Sequence, residues 1–172
     1  MHAALLPPSG KVVFLDKVEN FTELRLPNRR LAYSSLYDPR THELSPLAVE
    51  SNAFCCGGTF LADGRLVTLG GNGPLTWLDP TVQDGFDAIR YIGMENGDYG
   101  WDEPGNKLAS KRWYPSAQTM ADGRVFVAAG SLNALDVLNF SNNNPTYEIL
   151  DANGVSNGHN IPMDILVENM PY

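Results

Sequence analysis

The chain has 172 residues, 43% of them hydrophobic, enough for an ordinary globular core. Its formal net charge of −8 argues against nucleic acid, whose phosphates require Lys and Arg. No apolar run is long enough to span a bilayer, and the two cysteines, Cys55 and Cys56, are adjacent, so they offer neither a disulfide framework nor a Cys–His metal spacing.

In chain order, strands are predicted at 11–16, at 31–37 before the break Asp38-Pro39, and at 44–49. The next are 59–62, 66–69, 75–78 and 88–94. Asp63-Gly64 between apolar runs is a hairpin signal, because both turn positions tolerate positive φ. Residues 95–111 are rich in acid, Gly and Pro and read as a loop. Strands are predicted again at 117–120 and 125–129, around Asp122-Gly123, and at 146–150 after the turn Asn142-Asn143-Asn144-Pro145. Residues 151–160 are polar and Gly-rich, and no segment shows convincing helical periodicity.

Three segments align without gaps: 1–14, 55–68 and 114–127. Ser9-Gly10-Lys11-Val12-Val13, Asp63-Gly64-Arg65-Leu66-Val67 and Asp122-Gly123-Arg124-Val125-Phe126 coincide, with the glycines 54 and 59 residues apart. Repeats of about fifty residues built from short strands are the signature of kelch-type β-propeller blades. The predicted class is therefore all-β, with residues 1–172 forming an incomplete propeller of about three blades. Such a ring is open, with an unpaired edge at each end, and the chain reads as a piece of a larger protein.

The same alignment places Cys55 and Tyr114 at one equivalent position, each nine residues before its glycine. First strands of neighbouring blades converge beside the propeller axis, so these two side chains are predicted to be neighbours. Because side chains alternate along a strand, Cys56 should point away, and Gly57-Gly58 leaves room for a close approach. On spacing alone, a buried cysteine and a structural tyrosine before a proline is the plainer reading.

Several motifs together carry a resemblance. Asn52-Ala53-Phe54-Cys55-Cys56-Gly57-Gly58-Thr59, Gly64-Arg65-Leu66-Val67-Thr68-Leu69-Gly70-Gly71-Asn72, Arg112-Trp113-Tyr114-Pro115-Ser116 and Asn144-Pro145-Thr146-Tyr147-Glu148 resemble the N-terminal region of glyoxal oxidases. These are copper radical oxidases related to galactose oxidase. The resemblance extends over essentially the whole chain and implies a seven-bladed, galactose oxidase-like propeller. It implies a thioether between Cys55 and Tyr114, with the cross-linked Tyr114 acting as copper ligand and radical carrier. The implied reaction is oxidation of a small aldehyde by O2, yielding an acid and hydrogen peroxide, in a secreted enzyme. Sulfur donates electron density to the ring and eases its oxidation to a radical, and copper and that radical can each accept one of the two electrons the substrate loses. Cys55 matches the family cysteine because it follows Phe54. Leu132 stands where galactose oxidase has the tryptophan that covers the radical ring.

The family's remaining copper ligands, two histidines and an axial tyrosine, lie downstream of the matched region, and none of His2, His42 and His159 sits in a matching motif. His2 is predicted to be a packed core residue, and His42 to be solvated. Asp98, Asp102 and Glu103 carry oxygens of the kind calcium prefers, but without EF-hand spacing they read as a solvated acidic loop. Tyr99, Trp101 and Trp113 suit either a sugar or aldehyde pocket or burial beneath the blades. Gly70-Gly71-Asn72-Gly73 lacks the helix and lysine of a phosphate cradle. The sequons Asn20-Phe21-Thr22 and Asn139-Phe140-Ser141 are compatible with secretion. The alternative function is a non-catalytic kelch-type propeller that binds a protein or glycan partner.

Overall fold

The computed structural model describes residues 2–95, 97–133, 136 and 138–169. Three four-stranded sheets follow one another along the chain, each a meander of consecutive antiparallel strands. The first comprises β1 (His2–Leu6), β2 (Lys11–Leu15), β3 (Ser34–Asp38) and β4 (Glu43–Leu47). The second comprises β5 (Gly57–Phe60), β6 (Leu66–Leu69), β7 (Ile89–Glu95) and β8 (Asp98–Asp102). The third comprises β9 (Ser116–Thr119), β10 (Val125–Ala128), β11 (Thr146–Leu150) and β12 (Ile161–Pro162), and a short helix α1 (Asp164–Glu168) follows it.

The sequence repeat is visible in the turns. In the second sheet Gly64 N–H donates to Leu61 O at 3.0 Å and Asp63 Oδ1 accepts from Arg65 N–H at 3.0 Å. In the third, Gly123 N–H donates to Met120 O at 3.0 Å and Asp122 Oδ1 accepts from Arg124 N–H at 3.1 Å. Both glycines have positive φ, +90° and +87°, the conformation for which Gly pays no Cβ penalty.

The sheets stack face to face. Leu6, Val13, Leu36 and Leu47 of the first meet Leu66, Ile92 and Tyr99 of the second. Val67, Leu69, Ile89 and Tyr91, on the opposite face of the second, meet Val125, Val127 and Leu150 of the third. All four residues of β6 are therefore buried, because sheets cover both faces of that strand. In β2 only alternate residues are buried, because one face alone is covered. Loop and strand residues Leu15, Val18, Tyr33, Val49, Ala53, Cys56 and Val82 form a further cluster at the end of the first two sheets.

Three expectations are corrected. Residues 75–78 are not a strand: Leu78 and Asp79 N–H both donate to Leu75 O, at 2.8 and 2.9 Å, which is turn geometry. Leu75 and Leu78 instead pack on the apolar cluster at the sheet ends. The fourth place in the second sheet belongs to β8, inside the segment read as a loop. Its alternation, Asp98-Tyr99-Gly100-Trp101-Asp102, buries Tyr99 and leaves the acids outward, so acidic composition masked a strand. The third change is small: α1 is a helix of one turn with no buried residue.

Candidate functional site

Antiparallel pairing puts the starts of β1, β5 and β9 at the same end of the sheets as the last residues of β2, β6 and β10. Cys55 lies two residues before β5 and Tyr114 two residues before β9. The structure brings them together: Tyr114 N–H donates to Cys55 O at 2.9 Å. The contact continues down the strands, where the Thr59 and Thr119 hydroxyls lie 2.8 Å apart and Thr119 O–H donates to Phe60 O at 2.5 Å. The small residue between them is essential. A Cβ on Gly57 would sit 2.7 Å from Pro115 O, inside any real contact distance.

Cys55 and Tyr114 share a second property. Both are non-glycine residues in the left-handed region, with φ of +59° and +62°. That conformation costs an L-residue on the order of 1 kcal/mol, and equivalent positions of two repeats both bear it. Cys55 is half-buried, and the Tyr114 side chain is accessible at 40% exposure. Cys56, by contrast, is buried among Leu15, Val49 and Ala53 at the end of the first two sheets, as strand alternation predicts. Burial pushes its thiol above the ordinary value, and the nearby Arg90 charge only partly offsets this. Cys56 is therefore held as a poorly nucleophilic thiol.

Trp113 completes the arrangement; the sequence offered it as a pocket-lining residue or as one buried beneath the blades, not as a partner of Tyr114. Its ring stacks on Tyr114 with centroids 5.1 Å apart and planes 30° from parallel. Phe86 meets it edge-on and Phe54 at a tilt. Its indole N–H donates to Phe54 O at 3.1 Å, the carbonyl of the peptide bond into Cys55. Its backbone exchanges hydrogen bonds with Ser131, at 2.8 and 2.6 Å. Leu132 is half-buried and its N–H donates to Asn142 O at 2.6 Å. The only hint in the sequence was that an aromatic residue directly precedes each position, Phe54 before Cys55 and Trp113 before Tyr114.

Beneath the site lies a buried ion pair. Arg112 Nε and Glu148 Oε1 are 3.2 Å apart with both side chains fully buried. Arg112 also donates to Ala129 O, Thr146 O and Asn160 Oδ1, while Glu148 accepts from Ala109 N–H and Ser156 O–H. This network fixes the segment that delivers Trp113 and Tyr114 against the third sheet.

The other candidates do not join the site. His2 is exposed on the edge strand β1 rather than packed, since nothing among the described residues covers that edge. His42 and His159 are exposed, and His42 Nδ1 lies 2.7 Å from Tyr37 OH. Among the described residues no cluster of three His, Cys, Asp or Glu could hold a metal. Glu103 is not a solvated acid but accepts from Glu50 N–H at 2.6 Å and from Ser51. Trp101 Nε1–H donates to Ser34 Oγ at 2.8 Å, Tyr99 is buried, and Trp113 is only 6% exposed, so all three pack within the fold. No helix among the described residues is long and apolar enough to cross a membrane. The donor chemistry fits one corner of a copper site: an accessible phenol on a residue whose backbone N–H is hydrogen-bonded to Cys55 O.

Stacked four-stranded meanders whose first strands start side by side define this chain as part of a β-propeller. Comparison with known proteins narrows the class. The family model described as the glyoxal oxidase N-terminus matches residues 1–152, and the chain belongs to that family, within the galactose oxidase-like copper radical oxidases. Aldehyde oxidase GLOX1 of Arabidopsis thaliana is 30% identical over 152 residues, covering 79% of this chain and 23% of the relative. Galactose oxidase of Gibberella zeae is 30% identical over 132 residues, covering 75% of this chain and 17% of the relative. Among solved structures, a fungal alcohol oxidase of the AA5 family in complex with copper superposes with a TM-score of 0.57 at 21% identity. That superposition covers 87% of this chain and 27% of the other, and shows the shared fold. The chain thus spans less than a quarter of the length of either curated relative.

Proposed function

We propose that this chain is the N-terminal part of a secreted copper radical oxidase that converts simple aldehydes such as glyoxal to carboxylic acids. In the balanced reaction the aldehyde hydrate loses two electrons and two protons, and O2 takes them up as hydrogen peroxide. The observation that carries the reading is the Tyr114–Cys55 hydrogen bond, which joins the two repeat-equivalent positions in a chain of this family.

In this reading Tyr114 is a metal ligand through its phenolic oxygen and the carrier of the oxidising equivalent. Cys55 forms the thioether to the Tyr114 ring, and its sulfur lowers the potential needed to oxidise the phenol. Cys56 does not compete, because it is buried away from the site and its thiol is held protonated. When bound, copper supplies a one-electron couple and a Lewis-acidic centre beside the phenol. Its other ligands come from parts of the whole protein outside this chain. The exposed sequon residues Asn20 and Asn139 support secretion.

The test uses the full-length protein loaded with copper, with peroxide measured from glyoxal and methylglyoxal. Tyr114→Phe is expected to abolish turnover while leaving the folding transition in place, and undiminished activity would discard the assignment. Intact mass should show loss of two hydrogens, with a peptide joining Cys55 to Tyr114. Free thiols at both cysteines would favour the non-catalytic propeller that binds a protein or glycan.

A further inference from the structure

We propose that Trp113 is the positioning residue that aligns Cys55 with the Tyr114 ring for thioether formation and then holds the cross-linked ring. The inference rests on the copper radical oxidase reading and deepens it. One indole makes both contacts that the alignment needs. Its face lies on Tyr114 at 5.1 Å, and its Nε1–H grips the carbonyl immediately preceding Cys55 at 3.1 Å.

The indole is itself immobilised. It is 6% exposed, braced edge-on by Phe86, and its backbone is bridged to Ser131 in both directions. A ring held in that way transmits its position to both partners. Leu132 has no π face to offer the phenol, whereas Trp113 supplies a stacking surface from the residue preceding Tyr114. An indole face on the phenol also restricts ring rotation, which confines the ring carbon beside the hydroxyl to one approach direction.

The cross-linking step balances with O2 as oxidant. The Cys55 S–H bond and one ring C–H bond beside the Tyr114 hydroxyl break, and a C–S bond forms. Two protons and two electrons pass to O2, giving hydrogen peroxide. Orientation of the two reacting atoms is the quantity that Trp113 controls, and such alignment governs rate steeply.

The experiment compares full-length wild type, Trp113→Phe and Trp113→Leu, each purified copper-free and then given copper(II) and O2. Thioether formation is followed by mass spectrometry of the Cys55–Tyr114 peptide. The potential of the cross-linked phenol is measured by redox titration of its radical absorption. Trp113→Leu is expected to slow cross-linking by about tenfold or more, equivalent to about 1.4 kcal/mol of barrier, and to shift the potential. Trp113→Phe, which keeps a ring and loses only the N–H donor, should restore part of the rate and most of the potential. Should Trp113→Leu fail to fold, Trp113→Phe carries the test: a cross-linking rate equal to wild type overturns the proposal. Equal rates and potentials in all three proteins overturn it too, and leave the oxidase reading intact. A wild type that never cross-links under copper and O2 removes both.

Discussion

At the scale of single residues, Cys55 and Tyr114 share left-handed backbone with Arg29, His42 and Ala129, and they stand out because they occupy equivalent positions of two repeats. A glycine at either position would relieve the φ penalty, yet the chain carries a thiol and a phenol there. Strain of this kind persists where surrounding structure over-determines it, and it concentrates at functional sites. Cys55→Gly is therefore expected to be more stable than Cys55→Ala by about 1 kcal/mol in urea unfolding, although neither could form the proposed thioether. Equal stabilities would show that the backbone relaxes and that no strain is held. A second prediction concerns Tyr33, whose hydroxyl donates to Asp79 Oδ2 at 3.0 Å and fastens the first sheet to the loop of the second. Burial first, then the Asp79 hydrogen bond and charge, push its phenol from 10.0 to about 12. A raised value means that folding favours the neutral phenol, so its contribution is complete below pH 10 and is lost as pH rises to about 12. The stability difference between wild type and Tyr33→Phe should hold steady at neutral pH and shrink across that alkaline window. A difference that stays constant through it would assign the effect to packing alone.

At the scale of elements, the linker between the second and third sheets carries the site, and its anchor is the Arg112–Glu148 pair. Breaking one partner of a fully buried pair leaves an uncompensated charge, so Arg112→Met is expected to cost about 3–5 kcal/mol by denaturant unfolding. Because Trp113 and Tyr114 follow directly, the same variant should also slow the proposed Cys55–Tyr114 cross-linking in the full-length protein. What was legible in the sequence divides along the same line. Hairpins such as 59–62 with 66–69 were readable because apolar runs flank an Asp-Gly turn, a purely local signal. The backbone neighbourhood of Cys55 and Tyr114 was also readable, because repeat symmetry converts a distance along the chain into a place on the axis. β8 was hidden because an edge strand with one covered face carries acids on its open face, and composition then imitates a loop. Leu75 and Leu78 misled in the opposite sense: apolar residues at the rim pack downward as turn residues, with no ladder. The roles of Arg112 and Trp113 were illegible because they depend on which carbonyls and rings the fold brings to those side chains, and no period or motif records that.

At the scale of the whole molecule, the outer faces of the first and third sheets differ from ordinary surfaces. In β6, covered on both sides, every residue is buried; in β10, Phe126 on the uncovered face is only half-buried between buried Val125 and Val127. Phe126 and Tyr147 pair their rings at 5.3 Å on that face, with Ile149 beside them. Val12, Phe14 and Tyr37 form the matching apolar face of the first sheet, with Leu5 exposed at its edge. These side chains repeat the pattern that Val67 and Ile92 use to join neighbouring sheets, so the faces are suited to further blades. Burial of each such side chain is worth about 1.5–3 kcal/mol, a driving force that an isolated 172-residue chain leaves unsatisfied. The isolated chain is expected to self-associate, with a sedimentation coefficient that rises with concentration, and Phe126→Glu should suppress the rise. In the full-length protein the same substitution would place a charge between packed sheets, and a loss of about 2 kcal/mol or more is expected on thermal or urea unfolding. An isolated chain that sediments as a monomer at all concentrations, together with a full-length Phe126→Glu protein as stable as wild type, would mean that this face meets solvent and that the ring closes by another route.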